Sequence, residues 1–213
     1  MFFSFDGIDG TGKSTQMKQF VGFLTSRGHD VLTCRDPGGT ILGERLREIL
    51  LHKAEIPLAG RAEMLLYMAS RAQLVDEVIR PAIDEGRIVV CDRFLLANVV
   101  YQGHAGGLDV EDLWQVGEVA VAGTHPNVTF LLDMEVGEAA RRMNREPDRM
   151  ESRGLDFMQR VREGFLREAR RRPEIVVINA DRDVDTIHAE ILAIAERKMS
   201  HGLDDEKRTE RTS

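Results

Sequence analysis

Five short runs of this chain are apolar and β-branched without polar alternation: residues 2–6, 31–35, 87–91, 127–132 and 174–179. A strand with one wet face alternates, whereas an unbroken apolar run suits a strand covered on both faces. Between these runs the period becomes helical, near 13–26, 43–52, 61–85, 109–122, 135–144, 153–171 and 184–199. Within 61–85, Met64, Leu65, Met68, Ala72, Val75, Val78 and Ile79 recur at helical spacing, and Pro81 is expected to kink or end the helix. This apolar stripe is a candidate interface as well as candidate core. Strands alternating with helices imply right-handed crossovers and an α/β fold, a five-stranded parallel sheet flanked by helices on both faces. Residues 1–199 read as a single domain and the polar, aperiodic residues 200–213 as a disordered tail.

In an open parallel sheet, ligands gather at the carboxyl ends of the strands. The polar residues expected there are Asp6, Arg35 and Asp36, Asp92 and Arg93, Asp133, and Asn179 with Asp181. Directly after the first run, Gly7, Ile8, Asp9, Gly10, Thr11, Gly12, Lys13 and Ser14 match GxxxxGK[ST], followed by Thr15. Strand, glycine-rich loop and helix in that order make a phosphate cradle. The glycines let backbone N–H groups turn toward phosphate oxygens, Lys13 reaches the β- and γ-phosphates, and the Ser14 hydroxyl is a Mg2+ ligand. The expected fold is therefore that of the P-loop NTPases, with ATP as the natural occupant.

Composition narrows the partners. The net charge is −7 over 213 residues, which argues against a surface that holds nucleic acid non-specifically. No stretch approaches the roughly 18 apolar residues of a membrane span, and no basic segment leads into an apolar signal core, so a soluble cytoplasmic protein is expected. Cys34 and Cys91, the only cysteines, end predicted neighbouring strands and are expected to be buried thiols in a reducing compartment. Against the acidic total, residues 141–172 hold eleven arginines and six acids, a surplus of five positive charges. Part of that surplus faces an anion, and i,i+4 ion pairs on a solvated helix face account for most of the later arginines.

Further motifs occur in order: Asp9 in the loop, Arg35-Asp36-Pro37-Gly38-Gly39-Thr40, Ala62-Glu63-Met64-Leu65-Leu66-Tyr67 through Arg71-Ala72-Gln73, Asp92-Arg93, Tyr101-Gln102-Gly103 and Asp148-Arg149-Met150-Glu151. From about residue 2 to about 198 the chain resembles the bacterial thymidylate kinases. The resemblance implies ATP + dTMP going to ADP + dTDP in a homodimer with Mg2+. It implies that Arg47 and Arg93 grip the acceptor phosphate, Tyr67 stacks on thymine, Arg71 reaches the base O4, and Asn98 and Gln102 meet the base edge. Tyr101 lines the sugar, Asp36 accepts from the 3′-hydroxyl, Asp9 assists Mg2+ or the acceptor, and Asp92 orders Mg2+ through water. A lid at about 142–152 supplies the transition-state cation from Arg145 or Arg149, with Arg142 beside it, because Gly10 stands where another subtype carries a loop arginine. Departures from the family are Asp36 for glutamate, Phe94 for tyrosine or histidine, Ala97 for serine, and Pro147 in the lid. The alternatives are a kinase of another nucleoside monophosphate or of a nucleoside, and a P-loop ATP-binding switch. The absence of an NKxD string removes a GTPase, and an acceptor-side set of residues has no use in a switch.

Overall fold

The computed structural model describes residues 1–51, 57–143, 150 and 153–210, with side chains up to residue 200. Strands β1 (Phe2–Asp6), β2 (Val31–Arg35), β3 (Ile88–Asp92), β4 (Val128–Asp133) and β5 (Ile175–Asn179) form one parallel sheet in the order β2-β3-β1-β4-β5. Three strands run one residue off the expected positions at their starts, and β3 and β4 extend to Asp92 and Asp133, because ladder bonding uses the backbone and accepts a charged side chain at a strand end. Alternate side chains of β1 and β3 enter two separate cores. Phe3, Phe5 and Val90 face one, Phe2, Val89 and Cys91 the other. Both faces are thus dry, as the unbroken apolar runs require.

In the first core Phe3, Phe5, Phe20 and Phe130 meet with ring centroids 5.1 to 5.9 Å apart. Phe20 comes from α1 (Lys13–Ser26), which starts directly at the glycine loop, so this cluster fixes the loop to the sheet. Helix α2 (Ile41–Leu51) follows β2, and α3 (Gly60–Leu74) packs on it. The expected helix 61–85 does not break at Pro81. A π-helical turn (Val75–Ile79) joins α3 to α4 (Arg80–Asp84), with the Arg80 N–H donating five residues back to the Val75 carbonyl. The wider turn accommodates a residue that has no N–H to give. Met64, Met68, Val75 and Ile79 of the apolar stripe are core, which leaves Leu65 exposed.

A second helical segment was not legible in the sequence: α5 (Leu95–Asn98), continued by a π-helical turn (Val99–His104). Every residue from Leu95 to Gly103 is buried, so the segment has no wet face to produce an amphipathic period. Helices α6 (Val110–Val121), α7 (Val136–Arg142), α8 (Leu155–Arg171) and α9 (Val184–Glu210) complete the layers. The α9 backbone is helical from Val184 to Glu210. Extension of an existing helix skips the costly nucleus, and Glu, Lys and Arg tolerate helix well. Among the described residues, no helix is long and apolar enough to cross a membrane.

Cys34 and Cys91 lie directly opposite one another in the β2–β3 ladder, and both are free thiols. Cys91 is buried as expected, whereas Cys34 is only half-buried because β2 is an edge strand. Of the later arginines, Arg162 reaches across the fold rather than along its helix: it makes a two-pronged pair with Asp133 at the end of β4, at 2.7 and 3.0 Å.

At the carboxyl end of β1 the sheet buries a charge. Asp6 is fully inaccessible, and neither carboxylate oxygen has a hydrogen-bond partner. Burial pushes its pKa from 3.8 up to about 7, against the opposing pull of Arg93 and Lys13. Between about pH 4 and 7 the unfolded chain releases a proton that the folded protein keeps, so stability falls as pH rises through that window and levels off above it. Asp6→Asn, uncharged throughout, is expected to flatten this slope in the nucleotide-free protein, removing on the order of 4 kcal/mol of pH dependence at most. Urea denaturation at pH 4.5, 6 and 8 reads the slope. An equal slope in both proteins would mean that Asp6 is ionised throughout.

Candidate active site

With β1 between β3 and β4, the carboxyl ends of the three strands deliver Asp6, Asp92 and Asp133 to one edge. The loop Gly7–Gly12 turns over that edge through positive φ at Gly7 (132°), Gly10 (88°) and Gly12 (87°). A Cβ on Gly10 would stand 2.1 Å from the Ala139 carbonyl oxygen of α7, so no side chain fits there with α7 in place. Thr11 ties the turn by donating from its hydroxyl to the Ile8 carbonyl at 2.9 Å. α1 then begins at Lys13 and aims its first amides into the loop.

Two cations are held against this loop. Lys13 Nζ donates to the carbonyls of Gly7 (3.0 Å) and Ile8 (2.9 Å) and to Asp9 Oδ1 (3.2 Å). Arg93 comes from the residue after β3, in the left-handed region at φ 65°. A bulky residue persists in that conformation only where its surroundings impose it. Its Nη1 donates to the Gly7 carbonyl (3.0 Å), its Nη2 to Asp9 Oδ1 (2.9 Å), and its guanidinium lies over the Tyr101 ring. Burial lowers the pKa of Lys13, and the nearby charge of Arg93 adds to the effect while Asp9 opposes it. Both cations thus share one carboxylate and a few carbonyl dipoles.

Beside them opens a cavity of about 240 Å³ lined by Asp9, Ser14, Asp36, Arg47, Tyr67, Arg71, Asp92, Arg93, Asn98, Tyr101 and Gln102, together with Arg35, Pro37, Leu51, Phe94, Ala97 and Met150. Every acceptor-side residue expected from the sequence is on its wall. Arg47 donates to the Pro37 carbonyl at 2.7 Å, and the nearby Glu44 carboxylate attracts its charge. Glu44 binds Arg35 and the Gly39 N–H, and Glu48 meets Arg45.

The far wall is a buried polar chain. Arg71 is 1% exposed, its Nε donates to Asp36 Oδ2 at 2.6 Å, and its Nη1 contacts Asn98 Oδ1 at 3.2 Å. Asn98 Nδ2 donates to Gln102 Oε1 and Gln102 Nε2 to Glu63 Oε1, each at 2.7 Å. Asp36 Oδ1 is buried with no hydrogen-bond partner, and burial raises the Asp36 pKa against the pull of Arg71. Phe94 supports Arg71 from below, with the guanidinium 5.6 Å from its ring. Removing Arg71 would strand a buried carboxylate, so the residue is structural as well as exposed to the cavity.

Sequence reasoning gave no role to Glu63, which closes this polar chain behind the cavity, named Phe94 only as a departure from the family, and placed Asp6 at the ligand edge without a specific part. Glu63, Tyr67 and Arg71 repeat at four-residue intervals, which places them on one face of α3 and was the available signal for Glu63. The lid residues Arg145 and Arg149, with Pro147, lie outside the described residues. Arg142 is described and is tied to Asp181 (2.9 Å) and Glu138 (3.3 Å).

Among the described residues no cluster of three or more His, Cys, Asp or Glu is grouped as a metal site. A Mg2+ that shares its shell with phosphate and water needs fewer protein ligands. Ser14, Asp9 and Asp92 meet in the cavity wall, and Asp92 Oδ1 is buried with no hydrogen-bond partner. All are hard oxygen donors, so the residues present fit such an ion.

Comparison with known proteins agrees with this geometry. The family model described as thymidylate kinase matches residues 5–191. A thymidylate kinase of Kosmotoga olearia is 43% identical over 209 residues, covering 95% of this chain and 100% of that protein. One from Maridesulfovibrio salexigens is 44% identical, covering 91% and 94%. The crystal structure of thymidylate kinase from Ehrlichia chaffeensis superposes with a TM-score of 0.76 at 30% identity, covering 92% of this chain and 98% of that one. The phosphate loop, the paired cations and the enclosed polar wall therefore belong to a member of the thymidylate kinase family.

Proposed function

We propose that this protein transfers the γ-phosphoryl group of ATP to dTMP, giving ADP and dTDP for dTTP synthesis, with Mg2+ and as a cytoplasmic homodimer. The observation that carries the reading is one cavity lined both by the phosphate loop's Asp9 and Ser14 and by the set Asp36, Arg47, Tyr67, Arg71, Asn98, Tyr101 and Gln102. A hydrolase or switch needs only the first group. The family in which the chain belongs phosphorylates dTMP, which agrees.

Phosphoryl transfer asks the protein to align two nucleotides and neutralise charge, with little covalent help. Backbone amides of Gly7, Ile8, Gly10, Thr11 and Gly12, with Ser14 and Thr15 at the start of α1, receive the donor phosphates. Lys13 exchanges carbonyl partners for phosphate oxygens. The exchange is favourable because a phosphate oxygen carries a full negative charge, which attracts the ammonium more strongly than a carbonyl dipole does. Arg93 swings the same way from Gly7 and Asp9 toward the acceptor and the moving group, and Arg47 holds the acceptor phosphate from the α2 side. Ser14, Asp9 and Asp92 would hold Mg2+, whose charge would offset the negative charge that develops on the donor phosphates. Tyr67 gives thymine an apolar face, Arg71 and Asn98 meet its edge, Tyr101 crowds the sugar position where a ribose carries its 2′-hydroxyl, and the bare Asp36 Oδ1 accepts from the 3′-hydroxyl. The acceptor phosphate is already ionised at neutral pH, so no strong general base is required. Arg145 or Arg149 completes the charge clamp from the segment after α7.

Two features support the remaining assignments. Helices α2, α3 and α6 pack side by side and leave Leu42, Ile49, Leu65 and Val119 exposed, a surface that suits a second copy of the chain. The unlinked pair Cys34 and Cys91, opposite one another in the sheet, suits a reducing compartment.

A coupled ADP-release assay across dTMP, dUMP, UMP, CMP, AMP, GMP and thymidine is expected to give its highest kcat/KM with dTMP. Highest activity on UMP or thymidine overturns the substrate, and hydrolysis indifferent to every acceptor favours a switch. In the same assay Lys13→Ala is expected to lower kcat by at least about a hundredfold through loss of the donor-side cation. Arg71→Lys keeps the charge beside Asp36 but not the fork, so it is expected to raise the dTMP KM about tenfold or more with kcat largely kept. Light scattering behind a sizing column is expected to give twice the 24.0 kDa chain mass, and Leu65→Asp to shift it toward the single chain. A wild-type mass equal to one chain would remove the dimer.

A further inference from the structure

The thymine-pocket reading leaves one buried carboxylate without a task. Glu63 is 3% exposed, shares a face of α3 with Tyr67 and Arg71, and stands behind the cavity rather than on its wall. It ends the chain that runs from Arg71 Nη1 to Asn98 Oδ1, from Asn98 Nδ2 to Gln102 Oε1, and from Gln102 Nε2 to Glu63 Oε1. The two ends are chemically one-way, since a guanidinium only donates and a carboxylate only accepts. Each amide between them has two orientations, and one alone satisfies both neighbours. Asn98 is therefore held with its oxygen toward Arg71 and its nitrogen toward Gln102.

We infer that Glu63 is a positioning residue that sets the choice of pyrimidine by fixing the amide polarity of Gln102 and Asn98. The inference rests on the reading of the cavity as a base pocket. Thymine and uracil present an acceptor, O4, beside a donor, N3–H. Cytosine presents the opposite pair, an amino group beside a bare N3. Arg71 donors standing next to Asn98 Oδ1 complement the first edge and oppose the second. Without an acceptor at position 63, the Gln102 amide loses the partner that orients it and can turn its nitrogen to Asn98. Asn98 is then drawn between two donors that both seek its oxygen, Arg71 on one side and the reversed Gln102 on the other, and the preference of the edge weakens. Arg71 favours the same polarity from the other end, and Glu63 strengthens that hold where Arg71 is farthest, at Gln102.

The test compares kcat/KM for dTMP and dCMP. Glu63→Met, similar in length but unable to accept, is expected to lower the dTMP-to-dCMP ratio at least about tenfold, mainly through the dTMP KM. Glu63→Gln still offers an oxygen to Gln102 and is expected to keep the ratio within about threefold of wild type. Where the Met variant does not fold, Glu63→Asp takes its place, because withdrawing the carboxylate by one methylene should lower the ratio in the same way. A loss shared equally by both substrates, or an unchanged ratio in the folded variant, overturns the inference, since a merely structural residue would produce either. A wild-type enzyme that does not favour dTMP over dCMP would instead overturn the base-pocket reading itself.

Discussion

Buried charge at the carboxyl edge of β1 and β3 governs this molecule. Asp6, Asp9, Asp36 and Asp92 stand with Lys13, Arg71 and Arg93 in a region largely closed to water, where a lone ion is costly and a paired one survives. The pairing is incomplete. Asp6 has no hydrogen-bond partner on either oxygen, and one oxygen each of Asp36 and Asp92 is bare, while Lys13 and Arg93 share Asp9 and spend other donors on carbonyls. Such an edge leaves acceptors and donors under-used, which is the condition for binding an anion and a cation together.

The two walls of the cavity meet this constraint differently. On the donor side the cations rest on backbone carbonyls, partners that phosphate readily displaces. On the acceptor side the Asp36–Arg71 pair is closed, and Arg71 and Phe94 brace each other. The first side is built to rearrange and the second to keep its shape. That division suits a reaction in which charge moves at one end while a base is recognised at the other.

Much of this was legible in the sequence because strand ends and glycine spacing locate side chains before any packing is known. Lys13, Ser14, Asp36, Asp92 and Arg93 follow from the alternation of strands and helices, and Arg47, Tyr67, Arg71, Asn98, Tyr101 and Gln102 from the resemblance. What escaped was long-range or aperiodic. The helical segment from Leu95 to Gly103 is buried all round and shows no stripe. The π-helical turn before Pro81 reflects hydrogen-bond repair rather than composition. Glu63 and Phe94 act through partners distant in the chain, at positions 102 and 71, and Arg162 binds Asp133 at the end of β4 where ion pairs along its own helix were expected. Pairings of that kind depend on the crossovers, which hydrophobic patterning does not resolve.

The contact between Gly10 and α7 has a historical consequence. Position 10 meets the Ala139 carbonyl at a separation no Cβ tolerates, so a basic residue could not enter the loop in a single step while that helix keeps its place. A descendant that placed any side chain at position 10 would first need changes in α7 that drew the helix back. The order of mutations at this position is thereby constrained by backbone, not by chemistry.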